Sequence, residues 1–168
     1  LIYGGAAGNT IWGVNPATET VDDTITGSGW QARAIAYNED ADTFFVSNWG
    51  DPVWEIDRSG GIVNTFNLGT TTSTYGMAYD NVCENGPFLW VFDQGSPSLA
   101  GINQWDLTAG LYTGINHDAI SDIGYGSAGG MFLATDYSAG TATLGCTVQG
   151  GATSTPDMMI MYELCETG

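Results

Sequence analysis

Apolar positions along the chain gather in short runs of roughly four to eight residues, some alternating with polar positions and some continuous. Clusters of Gly, Asn, Asp, Ser and Thr separate them. A period of two bounded by turn formers predicts strands, and helical periodicity is nearly absent. The stretch FFVSNWGDPVWEIDRSGG, residues 44–61, shows the unit: a strand, a polar corner containing a tryptophan, a second strand and a second turn. It returns as FLWVFDQGSPSLAGINQWDLTAG, residues 88–110. Four second strands align, NTIWGVNPATET, DPVWEIDRSGGI, AGINQWDLTAGL and DMMIMYELCETG. Each leads to a polar or acidic residue before a turn: Asn15, Asp57, Asp106 and Glu163. The strand before each is LIYGGAAG, FFVSNWGD, LWVFDQGS or LGCTVQGG. A third element, rich in small residues, recurs as QARAIAYNED, YGMAYDNV and GGMFLATDY. The run TTTSTYG, residues 70–76, is expected to be a loop between strands.

The four aligned polar residues lie about 42, 49 and 57 positions apart, near the ~40–50 of propeller blades. Blades splay from a central axis, so Gly and Ala suit a crowded innermost strand and aromatics fill the wider gaps outside it. In the turns after Asp57 and Asp106, the carboxylate is expected to cap backbone donors while Gly supplies a positive φ. The expected fold is therefore an all-β β-propeller, with about three to four four-stranded antiparallel blades over units 1–42, 43–86, 87–143 and 144–168. Propellers close with roughly four to eight blades, so the expectation is one domain that is part of a longer or partner-completed ring. A β-sandwich is the competing architecture and leaves the repeat length without a reason.

The residues LWVFDQG followed by INQWDLTAG resemble the repeat LWV-D-G … I-x-x-[ILVW]-D-x-x-[TS]-G of NHL-like and glutamine-cyclotransferase-like β-propellers, and the secreted propellers common in Bacteroidota. The resemblance runs from about Leu1 to Leu164. The Trp105-Asp106 dipeptide comes without the histidine of WD repeats, and the chain has no YWTD motif and no kelch double-glycine pattern. What it implies is a propeller scaffold, with a calcium-dependent hydrolase or a cyclotransferase as the enzymatic alternative. Propellers of the lactonase-like kind hold Ca²⁺ with carboxylates and amides on inner loops. By that likeness Asn48, Asp93 and Asp136, each following an apolar or aromatic run, are the candidate ligands.

Charge narrows the partners. Arg33 and Arg58 are the only strong cations against nineteen carboxylates, a formal net charge of −17. Such a field repels phosphate backbones and anionic lipid, which argues against nucleic-acid partners. No apolar run reaches the ~18 residues of a spanning helix, so membrane insertion is not expected. The chain opens on LIYGG without an initiator methionine, consistent with a processed or internal segment. Three cysteines allow one disulfide and one thiol, and spacing leaves the pairing open. Cys146, in the strand-like TATLGCTVQ, suits a buried free thiol. Cys83 and Cys165 are the favoured pair in an oxidising compartment.

Catalytic signals are weak. His117 has Asp118 beside it, but neighbours in an extended segment point apart, and no Gly-x-Ser-x-Gly elbow supplies a nucleophile. Loop aromatics are the stronger lead: Trp30 in GSGWQAR, Trp49 in SNWGD and Tyr125 in GYGSAGG. Flat rings beside planar polar groups suit a protein or glycan ligand, but for Trp49 and Trp30 a ring wedged between blades is the favoured reading. The ligand-binding candidates are Trp30, Asn48, Trp49, Asp51, Asp93 and Gln94. The functional expectation is a non-catalytic extracellular or cell-surface binding or scaffold module. A purely structural, self-associating protein completes the set of alternatives.

Overall fold

The structure is a computed structural model and describes residues 1–69, 73–151 and 155–167. Among the described residues it is all-β, with four antiparallel sheets and one helical turn. The first sheet is β1 (Ile2–Gly5), β2 (Thr10–Asn15) and β3 (Thr20–Thr26). The second is β4 (Ala34–Asn38), β5 (Thr43–Ser47), β6 (Val53–Ile56) and β7 (Ile62–Phe66). The third is β8 (Thr74–Asp80), β9 (Phe88–Asp93), β10 (Gly101–Asp106) and β11 (Leu111–Asp118). After the turn α1 (Ile120–Ile123), β12 (Ser127–Ser138), β13 (Thr141–Gln149) and β14 (Met158–Glu166) form the fourth. Strands pair in chain order within every sheet, so each is an antiparallel meander.

The continuous apolar runs have a simple cause. Successive strand residues face opposite sides, and the second strand of each inner sheet is covered on both. In β5, Phe44 and Val46 enter a core with Ile11, Ile25 and Trp30, while Phe45 enters another with Met77, Leu89 and Val91. In β9, Leu89 and Val91 face that middle core, and Trp90 and Phe92 face a third with Leu144, Cys146 and Val148. Four successive sheets thus enclose three cores. A strand buried on both faces reads as an unbroken hydrophobic run.

The small-residue strands lie side by side, β4 against β8 and β8 against β12. Gly76 shows why they are small: a Cβ there would sit 2.6 Å from the Gly129 carbonyl oxygen of β12. The hairpin turns are also built as the residues predict. Asp57 Oδ1 accepts the backbone N–H of Ser59 and of Gly61, and Gly60 adopts φ +84°. Asp106 Oδ1 accepts the N–H of Thr108 and of Ala109, and Gly110 adopts φ +67°.

Three expectations differ in detail. The cuts at 42/43 and 86/87 fall between β4 and β5 and between β8 and β9, inside single sheets, and the cut at 143/144 falls within β13, because a repeat in sequence carries no phase. Glu163 is not at a turn: it lies within β14, where it accepts the Ser138 hydroxyl. Thr74, Tyr75 and Gly76 of the expected loop belong to β8, and residues 70–72 lie outside the described residues, as do residues 152–154 of the last unit.

Cross-links tie neighbouring sheets. Cys83, in the turn after β8, is disulfide-bonded to Cys165 of β14, with their Cα atoms 5.8 Å apart, and Cys146 is free and buried. Arg58 joins the first two sheets, bonding Asp42 at 2.6 Å and Asp23 at 3.3 Å and lying over the rings of Tyr3, Tyr37 and Phe44.

Candidate functional site

The second and third sheets meet at one end of the molecule, where β4 and β8 begin and β5 and β9 end. Arg33 stands just before β4, its backbone N–H bonded to the Ser47 carbonyl at 2.8 Å. Its Nε donates to Asn48 Oδ1 at 3.0 Å, and its Nη1 donates to the Tyr75 hydroxyl at 3.1 Å. The guanidinium lies 5.1 Å from the ring centres of both Trp49 and Tyr75. Those two rings meet edge to face at 5.6 Å. Asn48 in turn donates to Gln31 Oε1 at 2.7 Å.

Trp49 is exposed, at 41%. Its φ of +52° is a left-handed conformation that bulky residues seldom adopt. The backbone is held there across the sheet boundary, because the Thr74 N–H donates to the Trp49 carbonyl at 3.2 Å. Asp51 is exposed at the same corner, its N–H bonded to the Asn48 carbonyl at 3.1 Å. The corner therefore offers a flat ring, a half-buried cation and two side-chain amides on an anchored backbone.

The other sequence candidates go elsewhere. Trp30 is 2% exposed and donates its indole N–H to the Gly60 carbonyl at 2.9 Å, so it wedges between the first two sheets. Only its rim reaches a shallow cleft of about 210 Å³ shared with Gln31, Asp51 and Trp54. Asp93 is fully buried and accepts the backbone N–H of Ser73, Gly95 and Ser96. Gln94 donates to the Ala128 carbonyl at 2.6 Å, joining the third sheet to the fourth. Tyr125 donates to the Pro156 carbonyl and steadies the approach to β14.

The expected calcium ligands do not converge. Asp93 ends β9, near Ala128 at the start of β12, whereas Asp136 is eight residues further along β12. At ~3.3 Å per residue that places them at opposite ends of the sheets. The reason is directional: β12 is a first strand and β9 a second, and antiparallel neighbours finish at opposite ends. Among the described residues, no three His, Cys, Asp or Glu side chains are grouped to hold a metal ion.

His117 is bonded through Nε2 to Asp122 Oδ2 at 2.7 Å, not to its neighbour Asp118. The Tyr162 hydroxyl donates to the same Asp122 oxygen, also at 2.7 Å. The hydrogen bond from His117, followed by that from Tyr162, holds the Asp122 carboxyl below the usual carboxylate range. Asp118 instead accepts the Ile120 N–H and the Ser98 hydroxyl. This cluster joins β11, α1 and β14 on an exposed surface.

Arg33, Gln31 and Tyr75 were the members that sequence reading passed over. The available signal was rarity, because Arg33 is one of two strong cations in the whole chain.

No protein-family model matches the chain, and no curated protein matches it. Among solved structures it is similar to one described as "Structure of U3-55K", at 10% sequence identity and a TM-score of 0.51. The match covers 94% of this chain and 47% of that one, so the chain spans about half the length of the structure it resembles. At that identity the likeness bears on fold alone. Among the described residues no helix is long and apolar enough to cross a membrane.

Proposed function

We propose that this chain is a non-catalytic, extracellular β-propeller module that binds a protein partner at the corner formed by Arg33, Asn48, Trp49 and Tyr75. The observation that carries the binding reading is that corner itself. Trp, Tyr and Arg are the side chains that dominate binding energy at protein interfaces. Here an indole stands exposed beside a half-buried arginine on a backbone held in place. Rigid placement lowers the entropic cost of binding.

The ring reading is supported by the adjacent small-residue first strands and by the likeness to U3-55K, a β-propeller protein. The repeat phrase shared with NHL-like propellers is consistent with it. The outer faces support it too. The first sheet exposes Ile2, Trp12 and Val21, and the fourth exposes Phe132, Tyr137 and Met159. Within a larger ring these are the faces against which further sheets pack. The extracellular placement rests on the Cys83–Cys165 disulfide, since such bonds persist in oxidising compartments.

The test is selection of a displayed random peptide library on the wild-type protein, followed by affinity measurement on Trp49→Ala. The reading expects peptides whose affinity falls about tenfold or more on Trp49→Ala. Failure to recover any Trp49-dependent binder, with the protein folded on the support, contradicts it.

A further inference from the structure

The two arginines of this chain are treated in opposite ways. Arg58 is neutralised by Asp42 and Asp23, and the hydrogen bonds it donates to Asp42 drive its pKa further upward. Arg33 pairs with no carboxylate among the described residues, although the chain carries nineteen. Its partners among the described residues are neutral: an amide oxygen, a phenol hydroxyl and two ring faces. A guanidinium has five N–H donors. One on Nε and one on Nη1 are used, which leaves the two on Nη2 and the second on Nη1 without a partner among the described residues. A bidentate carboxylate needs two parallel N–H groups, and Nη1 and Nη2 each retain one to offer.

A half-buried cation with an open fork, in a chain that had acidic residues to spare, is a receptor short of its anion. We propose that Arg33 receives an Asp or Glu side chain from the protein partner, with an adjoining apolar residue of that partner lying on Trp49. This inference rests on the binding reading above and names its chemistry. The surrounding charge selects the context of that acid. A net −17 repels a run of carboxylates, so the partner presents a single acid among aromatic or basic neighbours. Aromatic stacking of the guanidinium and its bonds to Asn48 and Tyr75 fix the fork before the partner arrives, which limits the ordering cost.

The experiment uses peptides displayed with their C-termini fused to the carrier, so that only side-chain carboxylates are present. Selected Trp49-dependent peptides are expected to share one Asp or Glu. Amidating that residue is expected to weaken binding to the wild type about tenfold or more. On Arg33→Gln the same amidation is expected to have almost no further effect, the mark of a direct pair in a double-mutant cycle. Arg33→Lys keeps the charge without the fork and is expected to fall between the two. Its thermal midpoint, measured beside that of Arg33→Gln, separates a loss of binding from a loss of fold. Additive effects of Arg33→Gln and amidation overturn the inference. Trp49-dependent peptides that lack any acid overturn it while leaving the binding reading intact. Absence of every Trp49-dependent peptide removes both. Arg33-dependent binding of polygalacturonate instead of peptides also overturns it, since the carboxylate is then a sugar acid's.

Discussion

Trp30 and Trp49 occupy similar glycine-rich surroundings in sequence, and their contacts set them apart. The Trp30 indole N–H finds the Gly60 carbonyl inside the core between the first two sheets. The Trp49 ring meets Arg33 and Tyr75 and stays 41% exposed. Removing the first ring leaves a cavity and an unsatisfied carbonyl, so Trp30→Ala is expected to cost about 3–5 kcal/mol in urea unfolding. Removing the second forfeits one edge-to-face pair and one cation–π contact, so Trp49→Ala is expected to cost about 1 kcal/mol. Equal losses in the two variants would contradict this division of a core wedge from a surface ring. Asp93 makes the same point for carboxylates. Its place after an apolar strand is compatible with a metal ligand, but its oxygens are occupied by three backbone N–H groups.

At the scale of elements, turn chemistry was legible because it is local. Asp57 and Asp106 cap their turns within a few residues of themselves, and Gly60 and Gly110 supply the left-handed step. The second strands were legible because burial on both faces leaves FFV and LWVF unbroken. The outermost strands β3, β7 and β11 were not, since they are largely exposed and carry little apolar signal. Asn48, Trp49 and Asp51 were legible at their corner, but its completion was not, because Arg33 reaches Tyr75 across 42 positions and between sheets, a pairing no local pattern encodes. The Cys83–Cys165 link is an element-scale tie of the same long-range kind, closing a loop of 82 residues between the third and fourth sheets. On the chain-entropy model a loop of that length contributes about 4–5 kcal/mol. Reduction under native conditions is expected to lower the unfolding free energy by several kcal/mol. Unfolding curves that coincide with and without reductant would contradict that. Cys146 should not interfere with the measurement, because burial pushes its thiol pKa up to about 12 and keeps it unreactive while folded.

The whole molecule is governed by its excess of carboxylates, and acid should expose which of them the fold uses. Asp42 is held below the usual range by its bonds from Arg58 and then Tyr37, Asp57 by Ser59 and then Gly61, and Asp122 by His117 and then Tyr162. A depressed carboxyl contributes stability that is present above its unfolded value of about 3.9 and lost as pH falls through the folded value. Unfolding midpoints are therefore expected to drop below about pH 4. Repulsion within a chain of net charge −17 acts in the other sense, so acidification from neutral pH down to about 5 should first raise them. A midpoint that keeps rising below about pH 3 would show that repulsion, and not these hydrogen bonds, dominates. The same excess makes the open fork of Arg33 unusual for the molecule as a whole, and the binding account turns on it. Its most direct test is backbone and side-chain ¹H–¹⁵N chemical-shift mapping of the wild-type protein with a library-selected peptide. The account predicts shifts concentrated at the Arg33 Nε–H, the Trp49 indole N–H and the amides of Asn48 and Tyr75. Shifts confined to the hollow of about 340 Å³ beside Met77, Asn81 and Phe132, with the Arg33 and Trp49 signals unmoved, would contradict it.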